Sequence, residues 1–162
     1  MKNKKILAVL AAMAFVVCAG ASASGTFGIG VQGGYIANDH GGGDVAVTFK
    51  IPHVPPVFAV NVGIWNGELY RVGATADWWL GNPNITGVLN WFYGPGLAVG
   101  ASHYSNNFGF YAGGRFVVGL NAFVVDFLEI YAQVAAQLGI ETLPNVHFDW
   151  GFPINAGIRF WF

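Results

Sequence analysis

The chain has 162 residues, of which 54% are hydrophobic and 9% are charged, and its formal net charge is −1. This length suffices for one domain, and the charge provides no basic surface for nucleic acid. After the first two dozen residues the longest apolar run, 116–140, is interrupted by an Asn, an Asp, a Glu and two Gln. The composition therefore predicts no transmembrane helix.

The N-terminus predicts an export signal. Three lysines at positions 2, 4 and 5 precede an uncharged apolar run, 6–17, and Ala21, Ser22 and Ala23 provide a small-residue cleavage site. This order is typical of a secretory signal peptide. We assign residues 1–23 to the cleaved signal and 24–162 to one mature domain, whose charge is −1 − 3 = −4.

Cys18 is the only cysteine and leaves a lipoprotein signal open as an alternative. Val17 is bulky where such signals need a small residue, so cleavage after Ala23 is the favoured interpretation. A mature chain starting at Ser24 has no cysteine and can form no disulfide framework.

Eight segments of the mature chain alternate apolar residues with small or polar ones. A period of two is typical of β-strands, and dyad repeats of about ten residues between turns are typical of membrane barrels. The eight segments are 27–32, 45–51, 58–64, 71–78, 89–100, 110–120, 128–138 and 154–162.

The predicted fold is all-β: an eight-stranded antiparallel up-and-down transmembrane β-barrel. A closed barrel satisfies every backbone group inside a bilayer, with apolar side chains facing lipid and polar or small ones facing the lumen. An eight-stranded interior is filled by side chains, so we predict a polar lumen without an open channel. The predicted lumen charge network comprises Lys50, Arg71, Asp77, Arg115, Glu129 and Arg159.

Specific pairings within this network follow from strand order. Asp77 lies on the same strand as Arg71, six residues away, so we expect its partner to be Arg115 or Lys50. Glu129 lies between the strands of Arg115 and Arg159, and we expect it to bridge both.

The segment 127–138 has a second interpretation, because its apolar residues also fit helical spacing. Its β-branched and aromatic content and the need for an even strand number favour a strand.

The predicted outer loops, 38–43, 66–68, 103–107 and 141–150, are short and acidic. They contain Asp39, Glu68, Glu141 and Asp149 and no Lys or Arg.

Histidines at 40, 103 and 147 fall in three of these loops. His40, His103 and His147 would hold zinc if the loops converged, or would serve acyl transfer with Ser102 or Ser105 as nucleophile. The spacing of these residues supports neither a zinc site nor acyl transfer, so the favoured interpretation is that the histidines are solvated loop residues. We predict no catalytic residue, metal or cofactor.

The C-terminus carries the first resemblance. Asn155, Gly157, Phe160 and Phe162 occupy the positions of the C-terminal signal of outer-membrane β-barrels. The resemblance implies that the assembly machinery of such barrels reads this segment as the last strand. A buried edge strand of a soluble β-domain is the alternative.

Several short motifs, in order, resemble a family of small OmpA/OmpX-type barrels found in spirochaetes. They are Tyr93-Gly94-Pro95-Gly96-Leu97, Gly113-Gly114-Arg115, Gly119-Leu120-Asn121, Leu128-Glu129-Ile130 and the last six residues. The resemblance implies a non-enzymatic protein of the bacterial outer membrane with a structural or surface-interaction role through its short acidic loops.

Alternatives within this fold are a narrow pore or small-solute transporter, and less favourably an enzyme of the barrel-type lipid acyltransferase class. The expected partners are the lipid bilayer, the barrel assembly machinery, periplasmic chaperones during biogenesis and an extracellular protein ligand at the loops. We expect a monomer that binds no nucleic acid.

Overall fold

A computed structural model of the chain describes residues 27–38, 41–65, 69–104, 107–142 and 145–162. The predicted signal (1–23), Asp39, His40, Glu68 and Ser105 lie outside these ranges. The described residues form β1 (Gly28–Ala37), β2 (Gly42–Lys50), β3 (Pro56–Trp65), β4 (Leu69–Trp78), β5 (Asn84–Thr86), β6 (Leu89–Tyr104), β7 (Asn107–Val125), β8 (Leu128–Glu141) and β9 (His147–Trp161). In these ranges, no helix is long and apolar enough to cross a bilayer.

Eight of the strands close into an antiparallel up-and-down barrel, as the alternation predicted. Neighbours in sequence pair with one another, β1 pairs with β9, and β4 pairs with β6 across the short β5. The three-residue β5, which the sequence pattern did not predict, hydrogen-bonds to β6 outside the ring. Because β1 and β9 are antiparallel neighbours, Gly28 faces Trp161, and Phe27 and Phe162 lie at one end of the barrel. We call this the terminal end and the opposite one the loop end.

The stagger of the strands sets their tilt. The stagger is found by starting at Gly28 and moving from each residue to its partner on the next strand. After one circuit this path reaches Gly151 on β9. Because Phe152 pairs with Ala37 on β1, the partner position of Gly151 is Asn38. The stagger is therefore 38 − 28 = 10 residues. With strands about 4.8 Å apart and about 3.3 Å per residue, the tilt is about 40°, within the range of membrane barrels.

The two faces of the wall follow the predicted parity. Along β8, Ile130 and Val134 are more than 40% exposed, whereas Glu129 and Tyr131 are at most 5% exposed and face the lumen. The segment is a strand from Leu128 onwards, after a turn at Phe127, so the helical interpretation of 127–138 is wrong. A strand is required there because β8 provides the backbone partners of both β7 and β9.

Several strands extend beyond their predicted ends, which shortens the connections. β8 reaches Glu141, which pairs with Tyr111 on one side and His147 on the other, and β9 includes Asp149. The prediction that Glu141 and Asp149 belong to an outer loop is therefore wrong. Both residues occupy inward-facing positions in the alternation of their strands. A carboxylate at such a position points into the lumen and leaves the backbone hydrogen bonds between the strands intact.

Candidate functional site

The barrel lumen contains buried charged side chains at three levels. At the loop end are Arg71, Ser102, Tyr111, Glu141 and Asp149; in the middle are Asp44, Asn61, Asp77, Arg115 and Asn155; at the terminal end are Asn121, Glu129, Arg159 and Trp161.

At the terminal end, Glu129 is held by three donors. Its Oε2 accepts hydrogen bonds from Arg159 Nη1 at 2.8 Å and Trp161 Nε1 at 2.9 Å, and its Oε1 accepts one from Asn121 Nδ2 at 2.7 Å. Glu129 and Arg159 are directly opposite each other on β8 and β9. The carboxylate thus has the paired and hydrogen-bonded surroundings that a buried charge requires.

Aromatic rings surround the Arg159 guanidinium. Its central carbon lies 4.7 Å from the ring centroid of Tyr131, 5.3 Å from that of Trp79 and 5.8 Å from that of Trp161. Trp79 in turn stacks on Phe92 with the ring centroids 3.6 Å apart. These rings and the ion pair fill the lumen at the terminal end. Trp79 lies just beyond β4 and continues the inward parity of that strand.

The middle level is organised around Asp77 and Arg115, whose Oδ1 and Nε atoms are 3.1 Å apart. The two residues lie on β4 and β7 and flank Gly96 of β6, which is the backbone partner of both. A Cβ at Gly96 would collide with Asp77 Oδ1 and lie 2.9 Å from Arg115 Cγ. The missing side chain at Gly96 therefore leaves the space in which the pair forms.

Glu129 does not bridge Arg115 and Arg159. Arg115 is the register partner of Gln137, eight residues along β8 from Glu129, and its carboxylate partner is Asp77. The prediction of a bridge is wrong because strand order alone, without the stagger, does not give the level of a side chain in the barrel.

At the loop end, Arg71 pairs with two carboxylates. Its Nη2 lies 2.7 Å from Glu141 Oε2, and its Nη1 lies 3.7 Å from Asp149 Oδ2. Ser102 Oγ donates a hydrogen bond to Glu141 Oε1 at 2.9 Å, and the Tyr111 ring lies 5.3 Å from the guanidinium carbon. This level therefore has two carboxylates around one guanidinium.

Lys50 lies at the rim of the terminal end. Its Nζ donates to the backbone carbonyls of Val54 and Pro55 in the connection between β2 and β3. Among the hydrogen bonds and ion pairs of the described residues, Lys50 has no carboxylate partner.

Asp44, Glu141 and Asp149 are the lumen carboxylates that the sequence reasoning missed. Asp44 accepts from Asn61 Nδ2 at 3.3 Å and from Asn155 Nδ2 at 3.4 Å. They lie one, three and five residues outside the predicted strands, and extending the parity of β2, β8 and β9 over those residues would have found them.

Little free space remains among these side chains. A cavity of about 30 Å³ lies between the middle and loop-end levels, lined by Asp44, Asn61, Arg71, Tyr111, Arg115 and Gln137 among others. This volume accommodates about one or two water molecules.

The structure brings no metal site together from the residues it describes. His103 is exposed at the end of β6, and His147 is exposed at the start of β9 with Nδ1 2.7 Å from the Asn145 carbonyl oxygen. Ser102 faces the lumen and donates a hydrogen bond to Glu141, whereas the next residue, His103, faces outward. The described residues thus show no nucleophile paired with a histidine.

The four residues of the predicted assembly signal lie on both faces of β9 and at its end. Asn155 faces the lumen, and Gly157 faces the Tyr131 ring, which a Cβ would approach to 2.7 Å. Phe160 is on the outward face, and Phe162 exchanges backbone hydrogen bonds with Phe27.

Comparison with solved structures supports the closed β-barrel fold. Neisserial surface protein A superposes with a TM-score of 0.57 at 14% identity, over 87% of this chain and 100% of that one. A major outer membrane protein from Thermus thermophilus gives 0.43 at 11% identity, over 86% of this chain and 100% of that one. No family model and no curated protein sequence matches the chain.

Proposed function

We propose that the chain is a non-enzymatic barrel of the bacterial outer membrane with a structural or surface-interaction role. Residues 1–23 direct export and are removed, and residues 24–162 form the barrel. The observation that carries the proposal is the distribution of side chains: β7 and β8 expose Phe116, Val118, Ile130 and Val134, while Arg115 and Glu129 are buried inside. An apolar exterior around a charged lumen is suited to lipid and not to water.

The order of short motifs supports a finer assignment to the small OmpA/OmpX-type barrels of spirochaetes. Gly96, within the Tyr93–Leu97 motif, makes room for the Asp77–Arg115 pair, and Gly157 lies against the Tyr131 ring. Two of the glycines in the motifs therefore have a packing role.

The filled lumen favours a structural role over transport. Three levels of paired charges and the Trp79–Phe92 stack occupy the path along the barrel axis. Purified barrel reconstituted in a planar bilayer should give no stable unitary conductance. Reproducible conductance steps would instead support the narrow-pore alternative.

The proposed biogenesis and contacts depend on which end of the barrel faces the periplasm. With the terminal end in the periplasm, β9 and Phe162 are available to the assembly machinery, with periplasmic chaperones acting earlier. Since Glu141 and Asp149 point into the lumen, Asp39 and Glu68 remain as the loop carboxylates for a protein ligand. The barrel acts as a monomer.

A further inference from the structure

The outward-facing side chains at the loop end are aromatic or uncharged. Phe108, Phe110 and Phe148 are between 61% and 75% exposed, and Tyr70 and Trp150 are about half exposed. His103 of β6 is exposed among them. We call the five aromatic residues, without His103, the loop-end rim.

Among the described residues, no Lys or Arg faces outward at this rim. Lys and Arg occur at positions 2, 4, 5, 50, 71, 115 and 159. Arg71, Arg115 and Arg159 are at most 9% exposed inside the lumen, and Lys50 is bound to backbone carbonyls at the terminal end. The connections at the loop end contain no Lys or Arg in the sequence.

The charges that do occur at the loop end are mostly negative. Asp39 and Glu68 are in loop-end connections. Inside the mouth, Glu141 and Asp149 outnumber the single guanidinium of Arg71. A protein surface holds anionic headgroups through Lys and Arg, each contributing about a fivefold gain in binding, and repels them with carboxylates.

We propose that the loop-end rim contacts a lipid leaflet whose headgroups carry no net charge. This inference rests on the proposed function, which places the barrel in a membrane. Tyr70 and Trp150 have the amphipathic rings that favour the lipid–water interface. Such rings also bind the quaternary ammonium group of zwitterionic choline lipids. The loop-end rim contains no Lys or Arg for a lipid phosphate that lacks a compensating charge.

The test measures which lipid the folded barrel retains. Barrel reconstituted at low ionic strength in vesicles of equal parts phosphatidylcholine and phosphatidylglycerol is extracted in an uncharged detergent, and the lipid that stays bound is quantified. We expect the retained lipid to contain no more phosphatidylglycerol than the vesicle did.

A gain-of-charge variant, His103→Arg with Val146→Arg, adds two outward cations at the loop end, where both residues are exposed. Each is expected to raise the ratio of phosphatidylglycerol to phosphatidylcholine in the retained lipid up to about fivefold, and added salt should reverse the gain. The matched variant His103→Gln with Val146→Gln should behave like the wild type. The two single arginine variants serve if the double variant does not fold.

Two outcomes are separable. A ratio of phosphatidylglycerol to phosphatidylcholine in the lipid retained by the wild type about twofold or more above that of the vesicle would overturn the headgroup proposal while leaving membrane residence intact. Failure to insert into vesicles of either lipid alone would overturn the proposed function, and the headgroup proposal with it.

Discussion

Glu129 and Arg159 form an ion pair from which water is excluded: the two side chains are 1% exposed and their Oε2 and Nη1 atoms are 2.8 Å apart. The pair joins β8 to β9 at the terminal end, next to the strand junction that closes the barrel. A guanidinium left there without its carboxylate would be a buried, uncompensated charge.

Glu129→Ala should therefore lower the free energy of unfolding by about 3–5 kcal/mol. Urea unfolding in detergent micelles, followed by heat-dependent gel mobility, measures the change. Asp126→Ala removes an exposed carboxylate in the neighbouring β7–β8 turn and should stay within about 0.5 kcal/mol. Equal effects of the two substitutions would contradict the buried pair.

Gly96→Ala should destabilise the barrel, because the added Cβ would meet both members of the Asp77–Arg115 pair. The expected cost is about 1–3 kcal/mol. Gly114 is the matched control, since no atom other than those of its two chain neighbours lies within 4 Å of a Cβ there. Gly114→Ala should be neutral or stabilise by up to about 1 kcal/mol in the same unfolding assay. A Gly96 variant as stable as the Gly114 variant would refute the proposed role of Gly96.

Arg159→Lys keeps the charge but loses the planar group that lies against the rings of Tyr131 and Trp79. A loss of about 0.5–2 kcal/mol in unfolding free energy is expected. The reverse exchange, Lys50→Arg, should change little, because backbone carbonyls accept equally well from a guanidinium. An unchanged free energy of unfolding for Arg159→Lys would show that the rings pack around Arg159 without a stabilising cation–π interaction.

Deletion of Phe162 separates assembly from stability. Its backbone hydrogen bonds with Phe27 are at the frayed chain end, so purified barrel should still fold in detergent. In cells the same deletion should reduce the amount of barrel in the outer membrane severalfold. Phe148→Ala, an outward aromatic at the other end of β9, is the control and should assemble normally. Normal assembly without Phe162 would argue against the C-terminal signal.

The fold was predictable because the alternation of apolar with small or polar residues indicates both the strands and the face of the barrel wall to which each side chain points. Phe116, Val118 and Leu120 face out, and Arg115, Val117 and Gly119 face in, as period two requires once lipid is outside. Strand ends were less predictable. The alternation predicts a strand only to residue 138, whereas β8 continues to Glu141, which faces a lumen in which Arg71 compensates it.

The partners of the lumen charges were only partly predictable. Asp77 and Arg115 were candidates because few opposite charges exist, but their meeting depends on the register of β4, β6 and β7 at Gly96. That register is set by the ten-residue stagger, which no local pattern contains. Trp79 illustrates the same point, because its inward direction follows from continued pairing with β6 and not from its position near a strand end.

The most direct test of the account is the direction of alternate β8 side chains in a lipid bilayer. Single cysteines at Ala132, Val134 and Ala136, which face outward, and at Gln133 and Gln137, which face inward, can be spin-labelled one at a time in reconstituted barrel. The account predicts collision rates with oxygen dissolved in lipid that are high at the first three positions and low at the other two. Equal rates at all five positions, or ready access of a water-soluble relaxant to the even-numbered ones, would contradict a lipid-embedded barrel with a filled lumen.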